Sequence, residues 1–150
     1  MAETGEFAPD FTLPSTAGDI TLSKIAAGRR VVLAFYMEDR TPGCTQMLSA
    51  LQGEYDTIRD LDAEIIAISA DSLESHDTFS DSLGGCPFPL ASDADLQVAA
   101  NYGALSDDGK GMVRAVFVVD KDRRIMHSIP WFQPGSTAQF FEIFQALGLE

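Results

Sequence analysis

Cationic side chains are scarce in this sequence: 10 Lys and Arg stand against 23 Asp and Glu, for a formal net charge of -13. An excess of that sign repels nucleic acid and anionic membrane surfaces, which argues against both as partners. Histidine and cysteine are scarcer still, with two of each. Two cysteines cannot build a disulfide framework, and His76 and His127 without a C-x-x-C pair make no structural zinc pattern, so no metal is expected. No stretch reaches the roughly 18 apolar residues of a membrane span. Met1 to Glu6 hold no basic segment leading into an apolar one, so no secretory leader is expected either. The expectation is a soluble protein in a reducing cytoplasm, with the acidity serving plain solubility or a salt-rich interior.

What remains is ample material for one core. The 150 residues fit a single domain over 1–150, a size that buries about 68 to 70 % of its unfolded surface without a covalent staple. No repeat, low-complexity tract or linker interrupts it. Asp10-Phe11-Thr12-Leu13 and Asp19-Ile20-Thr21-Leu22 flank a turn-rich stretch and predict an N-terminal hairpin. Ser23 is placed to cap a brief helical turn. The runs Val31 to Phe35 and Ile65 to Ile68 are short and continuously apolar, as central strands covered on both faces are.

Between those runs, Leu48, Leu51, Tyr55, Ile58 and Leu61 recur every three or four residues and predict one helix from near Cys44 to near Asp62. Ser72 reads as an N-cap of a second helix that Gly84-Gly85 ends. Phe88 to Ala91 is a short edge strand, and Leu96 to Tyr102 a short helix ending at Gly103. Ala115 to Val119 and Arg124 to Ser128 form a hairpin about Asp120-Lys121-Asp122-Arg123, and Ser136 opens a last helix through Leu147. The order predicts an α/β fold, a mixed central sheet flanked by helices on both faces with an N-terminal hairpin.

Cys44 follows Thr41-Pro42-Gly43 where a buried strand turns into a helix. Exposed amides and the positive dipole end of a helix favour a thiolate there. A thiol of pKa about 8.5 is roughly 3 % ionised at pH 7, and one lowered to about 6 roughly 90 %. A residue at such a junction is not expected deep in a core. Met47 stands where a thioredoxin-like disulfide reductase would need its second cysteine. The segment Asp107 to Gly111 has no phosphate-loop spacing and reads as a surface loop. His76 and His127 read as structural. Trp131-Phe132 reads either as an exposed aromatic patch for dimer contact or as packing beneath the last helix.

A set of motifs then lines up along the chain. Gly5-x-x-Ala8-Pro9-Asp10-Phe11-x-Leu13-Pro14, Val31-Val32-Leu33-x-Phe35-Tyr36 and Asp39-x-Thr41-Pro42-Gly43-Cys44-Thr45 are followed by Ser69-x-Asp71-Ser72-x-Glu74-Ser75-His76, Pro87-Phe88-Pro89-Leu90-x-Ser92-Asp93 and Arg114-x-x-Phe117-Val118-Val119-Asp120. Together they resemble the peroxiredoxins of the AhpC/TSA superfamily, in particular the bacterioferritin comigratory protein or PrxQ branch. The resemblance implies a thioredoxin-like fold and a cofactor-free, thiol-dependent peroxidase that reduces hydrogen peroxide and small organic hydroperoxides through a cysteine sulfenic acid. It further implies recycling by thioredoxin, glutaredoxin or a low-molecular-weight thiol, in a monomer or homodimer.

On this resemblance Cys44 is the peroxidatic nucleophile, Thr41 an active-site donor, and Arg114 the group that activates the thiolate and positions peroxide. Gly43 and Met37 fall in the substrate-binding loop. Met37 stands where the family has a proline, which predicts a less pre-organised loop and keeps a second function in view, a non-catalytic redox-sensing or partner-binding domain. The family's resolving cysteine five residues after Cys44 is replaced by Ser49. Cys86 is then either a resolving cysteine reached by local unfolding or a packed small residue in a one-cysteine enzyme.

Overall fold

The computed structural model describes residues 1–148, so the last two residues of the expected domain lie outside the described ones. A two-stranded hairpin, β1 (Thr12–Leu13) and β2 (Ile20–Thr21), leads into α1 (Leu22–Ala26) and β3 (Arg30–Phe35). Then come α2 (Pro42–Gly53), α3 (Tyr55–Asp60), β4 (Ala63–Ser69), α4 (Leu73–Ser82), β5 (Leu90–Ser92) and α5 (Gln97–Tyr102), before β6 (Ala115–Val119), β7 (Ile125–Ile129) and α6 (Thr137–Ala146). Five strands form one mixed sheet in the order β5-β4-β3-β6-β7, with β3, β4 and β5 parallel and β6 and β7 antiparallel to their neighbours. No helix among the described residues is long and apolar enough to cross a membrane.

The sheet separates two apolar layers. Val31, Leu33 and Phe35 face one way, onto Leu22 and Ala26 of α1 and Val98, Ala99 and Tyr102 of α5. Val32, Ala34 and Tyr36 face the other, onto Met47, Leu48 and Leu51 of α2, Ile58 of α3, Phe79 of α4 and Phe140 and Ile143 of α6. Because both faces are covered, the central strands need no alternation, which is why their sequences read as continuous apolar runs. Ser72 and Ser136 cap α4 and α6 by accepting from Ser75 N and Gln139 N, each at 3.2 Å. Gly84 and Gly85 follow α4 at φ +80° and +92°, a backbone that side-chain-bearing residues avoid.

Two local expectations are corrected and a third is divided. The helix after Cys44 starts two residues earlier, at Pro42, and breaks at Glu54 (φ -101°, ψ 5°), so its stripe runs over two helices instead of one. Ser23 does not cap α1. Its backbone N–H instead donates to Asp10 Oδ1 at 2.9 Å, a cap supplied from across the hairpin. Trp131 and Phe132 part company: Phe132 is fully buried, edge-on to Phe140 at 5.4 Å, while Trp131 stays about half exposed.

A buried polar cluster ties the loop after β3 to the next strand and helix. Asp39 Oδ1 accepts from the Tyr36 hydroxyl at 2.6 Å, and Oδ2 accepts from Ser75 Oγ at 2.8 Å and meets His76 Nδ1 at 2.7 Å. The Asp39 amide donates to Asp71 Oδ2 at 2.9 Å. Burial by itself would push the Asp39 carboxyl up, but the bonds from His76, Tyr36 and Ser75 outweigh it and hold the group below its ordinary value. The His76 ring thus bridges the Asp39 carboxylate at Nδ1 and the Ala91 carbonyl at Nε2, the latter at 3.0 Å.

Two stability outcomes follow from these contacts. Phe132→Ala should lower unfolding free energy by about 3–5 kcal/mol in urea denaturation, because it opens a cavity beneath α6. Asp39 has a folded value below its unfolded one, so its stabilisation is complete above about pH 4 and is lost as pH falls through the lower folded value. Urea midpoints taken at pH 7 and pH 3 should therefore differ more for the wild type than for Asp39→Asn.

Candidate active site

Cys44 is the third residue of α2, behind Pro42 at the first helical position, where a missing N–H leaves no bond unmade. The first intrahelical bond runs from Thr45 N to Thr41 O at 2.8 Å, so the amides of Gly43 and Cys44 precede the hydrogen-bonded ladder. The Met37 N–H donates to Cys44 Sγ at 3.3 Å. The sulfur thus meets an amide donor from the loop at the N-terminal end of a helix.

Contrary to expectation, Cys44 is buried, with 1 % of its surface exposed. It is reached through a cavity of about 770 Å³ lined among others by Met37, Thr41, Gly43, Met112 and Arg114. The segment read as a plain surface loop forms the outer wall of that cavity. Ser106 N donates to Gly111 O at 2.8 Å, and Asp108 Oδ1 accepts from Ser106 Oγ at 2.7 Å and Lys110 N at 2.9 Å. Those two donors hold the Asp108 carboxyl below its ordinary value. Asp107, Asp108 and Glu38 leave this mouth acidic, with Lys110 among them.

Arg114 immediately precedes β6, and its carbonyl accepts from Phe132 N at 2.7 Å. The guanidinium lies so close to Gly43 that a Cβ there would overlap its Nη1 and push the arginine aside. The guanidinium also lies over the Trp131 ring, 5.2 Å from guanidinium carbon to ring centroid. The buried Nε has no hydrogen-bond partner. A cation is thereby fixed beside the N-terminus of α2 with donors to give.

The remaining expected residues are placed as follows. Thr41 lies in the cavity wall, but its hydroxyl donates to Glu38 O at 2.9 Å. Met37 is half exposed at the cavity mouth. Cys86 is not among the cavity-lining residues; it is half-buried behind α4 with its amide on Ser80 Oγ at 2.9 Å. Burial pushes its thiol up to about 11, against a smaller opposing effect of the Phe88 backbone bond. Asp39, Asp71 and His76 offer atoms within 4.8 Å of one another, the kind of grouping that can hold a cation. Here those atoms are engaged by Tyr36, Ser69, Ser75 and the Ala91 carbonyl.

Trp131 and the Asp39–His76 pair were not found from the sequence as parts of this site. Trp131 comes 17 residues after Arg114 in the numbering, with no local pattern linking the two. His76 carried a signal, its place in the family motif, without a role attached.

Residues 4–128 match the AhpC/TSA family. A peroxiredoxin of Thermoplasma volcanium is 33 % identical over 143 residues, covering 92 % of this chain and 69 % of its own. The chloroplastic peroxiredoxin Q of Sedum lineare is 38 % identical over 120 residues, covering 79 % and 63 %. The crystal structure of the peroxidoxin BcpB from Mycobacterium tuberculosis superposes with a TM-score of 0.87 at 30 % identity, over 98 % of this chain and 97 % of that one. The fold is thus the thioredoxin-like fold of these proteins, and the chain belongs to the AhpC/TSA family of peroxiredoxins, thiol-dependent peroxidases.

Proposed function

We propose that Cys44 reduces hydrogen peroxide and small organic hydroperoxides by direct attack. The observation that carries this reading is the convergence of three features on one cavity: a buried sulfur at a helix N-terminus, an amide donor on it, and an unneutralised guanidinium alongside. The Cys44 thiolate attacks one peroxide oxygen, the O–O bond breaks, and the sulfur becomes a sulfenic acid. The other oxygen departs with the electron pair and takes a proton from solvent to become water or an alcohol.

Arg114 and the amides of Gly43 and Cys44 stabilise the charge that grows on that leaving oxygen. Thr41, with its own proton directed to Glu38 O, takes part as an acceptor that orients the peroxide hydrogen rather than as the donor expected from the motif. Met37 and Met112 supply apolar walls. The acidic mouth favours neutral hydroperoxides over anionic ones.

The sulfenic acid is then condensed with a thiol of thioredoxin, glutaredoxin or a small molecule, which releases water and forms a mixed disulfide; a second thiol frees Cys44. Cys86 lies outside the cavity, and its burial keeps the thiol protonated, which supports an external reductant and a one-cysteine type of enzyme.

Stopped-flow oxidation of the reduced protein by hydrogen peroxide tests this reading, with intact mass taken after each reaction. Rapid oxidation lost in Cys44→Ser is the expected result. A wild-type rate equal to that of a free thiol would overturn the peroxidase mechanism and favour the redox-sensing domain. An intramolecular disulfide that vanishes in Cys86→Ser would make Cys86 the resolving thiol. Arg114→Ala should slow oxidation on the order of 100- to 1,000-fold, in line with removal of a transition-state donor. Gly43→Ala, which displaces the guanidinium, should slow it on the order of 10- to 100-fold with little change in urea midpoint.

A further inference from the structure

We infer that the buried Asp39–His76 pair is the positioning device of the peroxidatic loop, and that it acts through the Met37 backbone amide that it holds against Cys44 Sγ. The inference rests on the peroxidase reading for its kinetic consequence and on geometry for its substance. Met37 and Asp39 belong to one short loop, two residues apart, so whatever fixes the second constrains the first. Asp39 is fixed by its side chain and its backbone at once: Tyr36 and Ser75 donate to the carboxylate, His76 pairs with it at 2.7 Å, and its amide donates to Asp71.

His76 is itself anchored on the far side by Ala91 O at 3.0 Å, so the loop is clamped through α4 to β5 at the sheet edge. Both partners are essentially without solvent exposure, 0 % for the His76 side chain and 1 % for that of Asp39. A pair this dry loses much when one member is removed, because the other is left as an uncompensated charge. The titratable groups facing the pair are Tyr36 from the end of β3, which donates to Asp39, and Asp71 from the turn before α4, which accepts from the loop backbone.

The end of the clamp is a hydrogen bond that the family's proline could not make. Met37 carries an N–H, and that N–H donates to the sulfur at 3.3 Å; a proline there has none. The substitution expected to loosen the loop therefore also adds a donor to the nucleophile. Rigidity that a pyrrolidine ring would supply locally is supplied instead from a distance, by the Asp39–His76 pair.

The experiment combines hydrogen exchange of the segment 36–43 with the rate of Cys44 oxidation by hydrogen peroxide, in the wild type, Asp39→Asn, His76→Leu, His76→Asn, Met37→Pro and the double variant Met37→Pro/Asp39→Asn. Asp39→Asn and His76→Leu should speed exchange in this segment while the amides of β3 and β6 stay protected. They should slow oxidation on the order of 10- to 100-fold. His76→Asn, which retains a donor toward Asp39, should recover most of the loss. If the clamp acts through the Met37 amide, adding Asp39→Asn to Met37→Pro should slow oxidation no further.

Unchanged exchange in segment 36–43, or losses that multiply in the double variant, would overturn the inference. So would variants that lower the urea midpoint yet oxidise at the wild-type rate once folded. Should a clamp variant fail to fold, Ser75→Ala removes one donor to Asp39 and gives the same readouts in milder form. A wild type that reacts no faster than a free thiol would overturn the peroxidase reading alone, since the exchange measurement still decides whether the pair holds the loop.

Discussion

The antiparallel register between β3 and β6 is the constraint on which the site depends. Phe35 pairs with Ala115, so the chain leaves β3 toward Cys44 beside the point where Arg114 leads into β6. A one-residue slip would turn Arg114 to the other face of the sheet and bury Val116 and Val118 against the wrong helices. The apolar layers on both faces make that slip costly. Every inward side chain of β6 would exchange layers at once.

The parallel pairings do the same for the other half of the site. Phe35 lies opposite Ile68, and Ser69 opposite Ser92, so the carboxyl ends of β3, β4 and β5 finish side by side. The loop after β3, the Ser69–Asp71 turn and the Ala91 carbonyl therefore meet where chemistry on open α/β sheets is usually found. Cys44 needs this neighbourhood because a helix N-terminus alone gives a field and not a fixed geometry.

What the sequence disclosed, and what it did not, divides along range. The strands were legible because burial on both faces writes itself as short apolar runs, and the caps at Ser72 and Ser136 because a cap acts three residues away. Cys44 was legible from Thr41-Pro42-Gly43 and the turn from strand to helix. Asp10 capping α1 from 13 residues upstream, His76 meeting Asp39 across 37 residues and Trp131 lying under Arg114 have no local signature. Each is a consequence of the sheet register, which single-segment patterns do not encode. The break at Glu54 was hidden for the opposite reason: the apolar stripe continues across it, so the pattern reports the buried face and not the backbone.

Trp131 bears on how a protein of net charge -13 keeps a cation effective in its site. Among the described residues Arg114 takes part in no ion pair. A carboxylate partner would hold the guanidinium equally well, but it would cancel the charge and occupy two of the five donors. The aromatic face holds the same group by its ring and leaves the edge free. The buried Arg114 Nε has no hydrogen-bond partner among the described residues. In the proposed reaction the unpaired guanidinium meets an oxygen with growing negative charge. An interaction absent from the free enzyme and strongest at the transition state is the kind that raises the rate, whereas one already satisfied by a carboxylate would not.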